Sequence, residues 1–363
     1  MASGAVMVRL TRVEQQARTR AAVLAAAREE FAEHGFGPAK VDRIAERADL
    51  TRGAVYSNFP SKRALYLAVL IDLVEQDSGE PLASVSPSSE PAALGVFARV
   101  WLERLPLVGD PAPGGRLQLR SLDGVFDDET EPSVLAQVAR LEALLLALAL
   151  EQGAPVRRVR LAELVLTLLD GAGHRAATAP GSGDPFDVAH ACRHLAGIDL
   201  QDTWAPPHLP YVAPAQACAD VWSPPGDLVD VISGEPVDLG RGLVVVLGAG
   251  RLGAAEEAVR SAQPGEQVVV AVVTGDPEET GRLVRLRLLD AVASLRRVFA
   301  ASSWRPVRLV LDDGARVASA IGLADPGDET ESAVSVRDGV VVARAHGRGA
   351  GHAVGARDRE AMP

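Results

Sequence analysis

The stretch Thr51-Arg-Gly-Ala-Val-Tyr-Ser-Asn-Phe-Pro-Ser-Lys-Arg-Ala-Leu65 leaves the chain little conformational freedom. Thr51 suits the start of a helix, because its hydroxyl can accept a hydrogen bond from an amide in the first turn. Pro60 ends that helix near Phe59, since the residue before a proline is pushed out of the helical region. Ser61 then caps a further helix that carries Leu65, Val69 and Leu73 on its inner face. The result is a very short helix, a turn and a longer helix.

Upstream, Val23, Leu24, Ala27 and Phe31 form one stripe of a helix that begins near Glu14 and stops at His34-Gly35. A second helix is expected over 41–48, with Val41, Ile44, Ala45 and Ala48 on one face, and Asp49-Leu50 turns the chain into Thr51. This is a helix-turn-helix. A recognition helix this short must present small side chains for its backbone to approach base edges, and Gly53-Ala54 meet that need. Arg52 can bond guanine through two donors or pair with a phosphate, and the Ala54 methyl suits a thymine methyl. Ser57 and Asn58 can bond the DNA backbone or adenine. Lys62 adds a cation to a positive helix end, which suits a phosphate. Val55 and Phe59 are read as core. Each charged position also fits a plain solvated helix face.

The order Phe31, Gly35, Val41, Ile44-Ala45, Ala48, Val55-Tyr56, Phe59, Lys62, Leu65 resembles the tetracycline-repressor-type (TetR) transcriptional regulators over residues 11–75, with the helical region up to 197 following as in that family. The resemblance implies a homodimer on a palindromic double-stranded DNA operator, with the third helix in the groove. It also implies a helical domain that dimerises and binds a small-molecule effector. Tyr56 resembles the family's phosphate-contacting tyrosine. The DNA-binding set is therefore Lys40, Val41, Thr51, Arg52, Gly53, Ala54, Tyr56, Ser57, Asn58 and Lys62. Two positions depart from the pattern. Asp49 stands where the family commonly has glycine, but aspartate tolerates a left-handed turn. Ala39-Lys40 replace a frequent threonine, and Lys40 can supply that phosphate contact instead.

Charge is distributed accordingly. Residues 1–70 hold 11 Lys plus Arg against 7 Asp plus Glu, a balance of +4, so the remainder carries −15 of the net −11. A basic head on an acidic body concentrates attraction for phosphates where it is useful. Two cysteines, Cys192 and Cys218, exclude a disulfide framework and a multi-cysteine zinc site, and no metal ligand set is expected. The apolar run Leu141–Leu150 is too short to span a bilayer and contains Glu142, and no signal-peptide core follows the amino-terminal arginines. A cytoplasmic protein without a membrane partner is expected.

The whole chain reads as multi-domain. An all-α helix-turn-helix head (1–76) and a helical dimerisation and ligand-binding bundle (77–200) precede a Pro-rich linker (201–216). An α/β domain (217–352) and a disordered tail (353–363) complete it. Helical patterns fall at 93–107, 131–152, 155–178 and 185–197, and Val134–Leu150 is apolar nearly all round, as for a buried helix. Phe97, Trp101, Leu145 and His174 are candidate lining residues for an effector pocket, although each also fits ordinary core. Beyond the linker, Leu243–Leu247, Val268–Val273 and Val307–Leu311 read as buried strands, and Ala333–Val342 around Asp338-Gly339 reads as a hairpin.

Gly248-Ala-Gly-Arg-Leu-Gly253 matches a dinucleotide-binding fingerprint in form, but the acidic residue expected about 20 positions on is missing. The α/β region, 217–352, instead resembles a thioredoxin-like, peroxiredoxin-type fold, through Asp230–Leu239, Arg308–Leu323 and Val334–Gly339. Where that resemblance implies a catalytic cysteine, the 248–253 loop has none. Its cis-proline position, near Thr330, has no proline, and Cys218 is expected to lie before the first strand. The expectation is thus no cofactor, no enzyme activity and a sensor or interaction module. The competing reading is a head fused to an active thiol or nicotinamide-dependent oxidoreductase.

Overall fold

The structure is a computed structural model and describes residues 11–76, 89–103, 125, 130–152, 156–179, 181–207 and 212–360. Most of the expected 77–92 loop, the end of the 93–107 helix and the last three residues lie outside it.

The head is four helices: α1 (Arg12–His34), α2 (Val41–Arg47), α3 (Arg52–Asn58) and α4 (Lys62–Gln76). Thr11 and Glu14 form a reciprocal capping box at the start of α1, and Gly35 ends it at φ 74°. Asp49 sits at φ 54°, the left-handed turn anticipated between α2 and α3. The Thr51 hydroxyl accepts the Ala54 amide at 3.2 Å, and the Ser61 hydroxyl accepts the Ala64 amide at 2.9 Å. Phe31, Ile44, Val55, Phe59 and Leu65 close the core.

The body follows as α5 (Glu90–Leu102), α6 (Thr130–Leu150), α7 (Val159–Thr178) and α8 (Pro185–Leu195). The chain then enters a six-stranded mixed sheet in the order β1-β6-β5-β2-β3-β4. Its strands are β1 (Gln216–Val221), β2 (Gly242–Gly248), β3 (Val268–Val273), β4 (Val307–Leu311), β5 (Glu331–Arg337) and β6 (Val340–His346). β2, β3 and β4 run parallel, and β5 and β6 close antiparallel through a turn at Asp338 (φ 50°) and Gly339 (φ 76°). Between strands lie α9 (Ala255–Ser261), α10 (Thr280–Arg296) and α11 (Arg316–Ala320), with α12 (Ala350–Glu360) last. The two sheet faces carry separate cores. Val244, Val246 and Val269 pack with Trp222 and Val317, whereas Leu243, Val245 and Val270 join the helices of the body.

Three features differ from the sequence expectation. Cys218 lies within β1, not before the first strand. This strand is bracketed by prolines and defined only by its antiparallel pairing with β6, so no local hydrophobic pattern announces it. Up to Glu360, the tail expected to be disordered is helical. Glycines in α12 let its backbone close on α9, where a Cβ at Gly351 would come within 2.8 Å of the Ala258 Cβ. Finally, the bundle and the α/β unit share one continuous core. The apolar stretch of α6, Pro132–Leu150, is long enough by composition to cross a membrane, and 61% of its apolar window is buried inside the fold. It packs on α7, on the 3-10 turn Ala249–Ala254 and on α10, and Trp304 donates its indole N–H to the Leu145 carbonyl at 2.7 Å.

α10 is the connecting element. Leu283 and Leu286 belong to the core of the head, while Val284, Leu288, Val292 and Leu295 belong to the shared core of the body. At about 100° per residue the two sets point in nearly opposite directions.

Candidate nucleic-acid interface

The recognition helix presents Thr51, Arg52, Gly53, Tyr56 and Ser57 to solvent, with Ala54 and Asn58 half-buried, while Val55 and Phe59 point inward. Arg52 is held over the Tyr56 ring at 5.5 Å and pairs with Asp42 at 3.4 Å, so its guanidinium is aligned along the outer face but stays open to water. Ser57 and Asn58 both donate to the Ala54 carbonyl, at 2.9 and 2.8 Å. Those bonds are local and weak enough to exchange for a nucleic-acid partner.

Gly53 is informative because nothing inside the protein requires it. A Cβ there would meet only the Thr51 hydroxyl, at an ordinary 3.8 Å, and its backbone is not left-handed. Its small size serves the outer surface.

Two members of the expected set are placed differently. Val41 is 8% exposed and packs in the head core at the first turn of α2, so it is not on the outer face. The Lys62 ammonium turns inward, donating to the carbonyls of Gly37 and Ala39 at 2.9 and 3.0 Å and lying 4.7 Å from the Phe36 ring. Burial pulls its pKa below the ordinary lysine value. In this conformation Lys62 fastens the α1–α2 loop. Lys40, in contrast, is exposed, and its amide donates to the buried carboxylate of Glu30 at 3.1 Å, which fixes the start of α2. Glu30 clusters with Glu33 and His34, but Arg43 and Arg47 lie 3.6 and 3.5 Å from Glu30 and balance the charge.

Residues with no distinguishing mark in the sequence hold the recognition helix in place. Arg20 on α1 donates to the Asn58 carbonyl at 3.1 Å, at the last residue of α3. From α10, Arg282 donates to the Ala64 carbonyl at 2.9 Å, and Glu279 accepts from the Ser61 hydroxyl and pairs with Arg63 at 3.2 Å. Their only sequence signal is charge on a helix, which a solvated face also produces.

The other expected sites separate. Phe97 and Trp101 line one cavity with Glu142, Asp170 and Arg287, but its volume is about 20 Å³, room for about one water. Leu145 is buried away from that lining, and His174 is exposed on α7. The buried Glu142 carboxylate meets Arg287 at 3.0 and 2.9 Å, so α10 closes this cavity with an ion pair. Burial pushes the Glu142 carboxyl up, and the guanidinium works against that shift.

At the glycine loop, the amides of Gly248, Gly250 and Gly253 already donate to Thr330 O, Asp328 O and Gln137 Oε1 at 2.7, 2.9 and 2.9 Å. A Cβ at Gly248 would come within 2.2 Å of the Asp328 carbonyl. The glycines serve close internal packing, and these amides are not offered to a pyrophosphate. Cys192 is buried in α8, where burial pushes its thiol up to about 11. Cys218 donates to the Val341 carbonyl on the sheet edge.

Comparison with known proteins bears on the head. Residues 23–69 match the family model described as "Bacterial regulatory proteins, tetR family". The HTH-type transcriptional regulator RutR of Escherichia coli is 35% identical over 75 residues, which is 21% of this chain and 35% of that protein. RutR of Shigella flexneri matches to the same extent. The chain thus spans about a third of the length of the curated relatives it matches. Among solved structures, RolR in complex with resorcinol aligns at 20% identity and a TM-score of 0.36, over 52% of this chain and 92% of that one. The regulator FadR from Bacillus subtilis in complex with stearoyl-CoA aligns at 17% identity and a TM-score of 0.32, over 49% and 99%. Through residues 23–69, the head of this chain is similar to the amino-terminal domain of the tetR regulatory proteins.

Proposed function

We propose that the protein is a DNA-binding transcriptional regulator that represses by occupying a palindromic operator as a homodimer and is released by a small molecule. The observation that carries this reading is the outer face of α3. An aligned but solvated Arg52 stands beside a glycine that the fold itself does not need, within the segment that matches the family. Arg52 reads guanine or phosphate, Ala54 and Tyr56 meet the strand, and Lys40 adds a backbone contact from the start of α2. The homodimer reading is supported by exposed apolar side chains on the helices of the body. Phe186 is 75% exposed on α8, and Leu164 on α7 is 40% exposed, as for a covered interface in an oligomer.

The α/β unit is read as a thioredoxin-like module that senses or docks and carries no redox chemistry. Supporting this, neither thiol stands where the β2 loop starts its helix.

Operator selection from genomic fragments with the purified full chain tests the proposal. A palindromic fragment should be retained, and Arg52→Ala should lose specific retention while eluting at the same size. Retention by the variant equal to the parent would remove α3 from the groove.

A further inference from the structure

A groove of about 370 Å³ separates the head from the α/β unit. α1 and α4 form one wall, and α10 with the turn after β4 forms the other. The volume is that of a small-molecule site, in contrast to the closed cavity at Phe97 and Trp101.

Both Arg20 and Arg282 line this groove, and both guanidiniums lie over the ring of Phe59, at 4.3 and 5.3 Å. Two like charges therefore share one buried aromatic ring. Burial, with the Arg20 charge adding to it, pulls the Arg282 pKa below the ordinary value. Arg282 has a carboxylate partner in Glu278 at 2.5 Å, but Glu278 is itself half-exposed on the rim. Among the described residues no carboxylate lies within ion-pair distance of Arg20, which donates to the neutral Asn58 carbonyl. Elsewhere on the walls Arg285 pairs with Asp313, the Gln76 amide donates to Asp72, and the Glu75 carboxylate is exposed to solvent. Leu24, Ala68, Ile71 and Pro277 supply an apolar floor.

We infer that this groove binds a small organic carboxylate with an apolar body, gripped by Arg20 and Arg282, and that its occupancy loosens the recognition helix. The carboxylate supplies the counter-charge that Arg20 lacks. It competes for the same guanidinium donors that hold the Asn58 carbonyl, at the end of α3, and the Ala64 carbonyl, in the first turn of α4. The consequence for DNA rests on the regulator reading above, whereas the binding itself does not.

Calorimetry of the full chain with benzoate and hexanoate, against neutral benzamide, tests the site. Both carboxylates should bind and benzamide should not. Arg20→Gln and Arg282→Gln should each weaken binding about tenfold or more, in line with the loss of a charge-assisted contact. Arg20→Gln removes no bond between the head and α10, so it guards against a folding defect in the second variant. Ala68→Phe, which fills the groove and keeps both arginines, should also abolish binding. With operator DNA, saturating carboxylate should lower affinity about fivefold or more. Absence of heat with either carboxylate, equal binding of benzamide, or an unaffected Arg20→Gln would overturn the site. If arginine-dependent binding is found but no DNA fragment is selected, the site stands and the regulator reading falls.

Discussion

At the scale of single residues, Gly53 separates stability from function. Glycine inside a helix costs about 1 kcal/mol relative to alanine, and no internal contact at Gly53 offsets that cost. Gly53→Ala should therefore raise the stability of the head by about 0.5–1 kcal/mol. The added methyl should also hold the α3 backbone away from base edges and weaken operator binding. Thermal melts and gel shifts on the same samples check both halves. A variant that melts higher and binds DNA as before would place Gly53 outside the interface. Much of this surface is legible from sequence, because caps, a left-handed aspartate and a proline stop are local chemistry. Lys62 and Val41 show the limit. Whether a residue at the start of a helix faces out or in depends on partners elsewhere, and those of Lys62, the Gly37 and Ala39 carbonyls, carry no side-chain signature.

At the scale of elements, α10 and α6 meet through Glu142 and Arg287, both largely buried. Removing one member of such a pair leaves an uncompensated charge and costs about 3–5 kcal/mol, whereas replacing both with apolar residues is often close to neutral. Arg287→Met alone should thus destabilise far more than Arg287→Met combined with Glu142→Leu, measured by chemical denaturation. The deficit of the single variant also depends on pH. Burial already raises the Glu142 carboxyl, so its protonated form is the one the fold tolerates without a partner. Stability is then retained at low pH and lost as pH climbs through the raised value. Equal deficits at acidic and neutral pH would show that Glu142 does not carry the charge. The sequence marked α6 as apolar all round but not everything that covers it, since besides α7 much of the covering surface comes from residues about 100 or more positions later. β1 and α12 were hidden for a related reason. An edge strand among prolines and a glycine-rich helix are each stabilised by neighbours, β6 for the strand and α9 with the sheet for the helix, and not by their own pattern.

At the scale of the whole molecule, the shared core predicts that the chain does not divide at its Pro-rich stretch. Residues 1–200 expressed alone should expose the face of α6 that packs on α9, α10 and Trp304. Aggregation in size-exclusion chromatography and strong binding of an apolar dye are the expected results. A compact, dye-silent fragment would show two independent domains. The exposed apolar surface of the body gives a second prediction. Phe186→Asp places a charge on the surface proposed to pair two copies, and should convert a dimer into a monomer by light scattering without lowering the melting temperature of the head. An unchanged mass would move the dimer contact elsewhere.

The two-sided helix α10 also sets an order of events during synthesis. Leu283 and Leu286 complete a core whose other members end by Val74, apart from Val125. At bacterial or eukaryotic elongation rates, the ribosome needs about ten to forty seconds to travel that distance. Until then the nascent head lacks two of its buried leucines and the Arg282 and Glu279 anchors of α4. A chain that stops early carries the whole recognition helix and yet has an unfinished platform beneath it. On the regulator reading proposed above, competence to hold DNA becomes conditional on translation reaching the last third of the message, and truncated products should compete poorly for the operator.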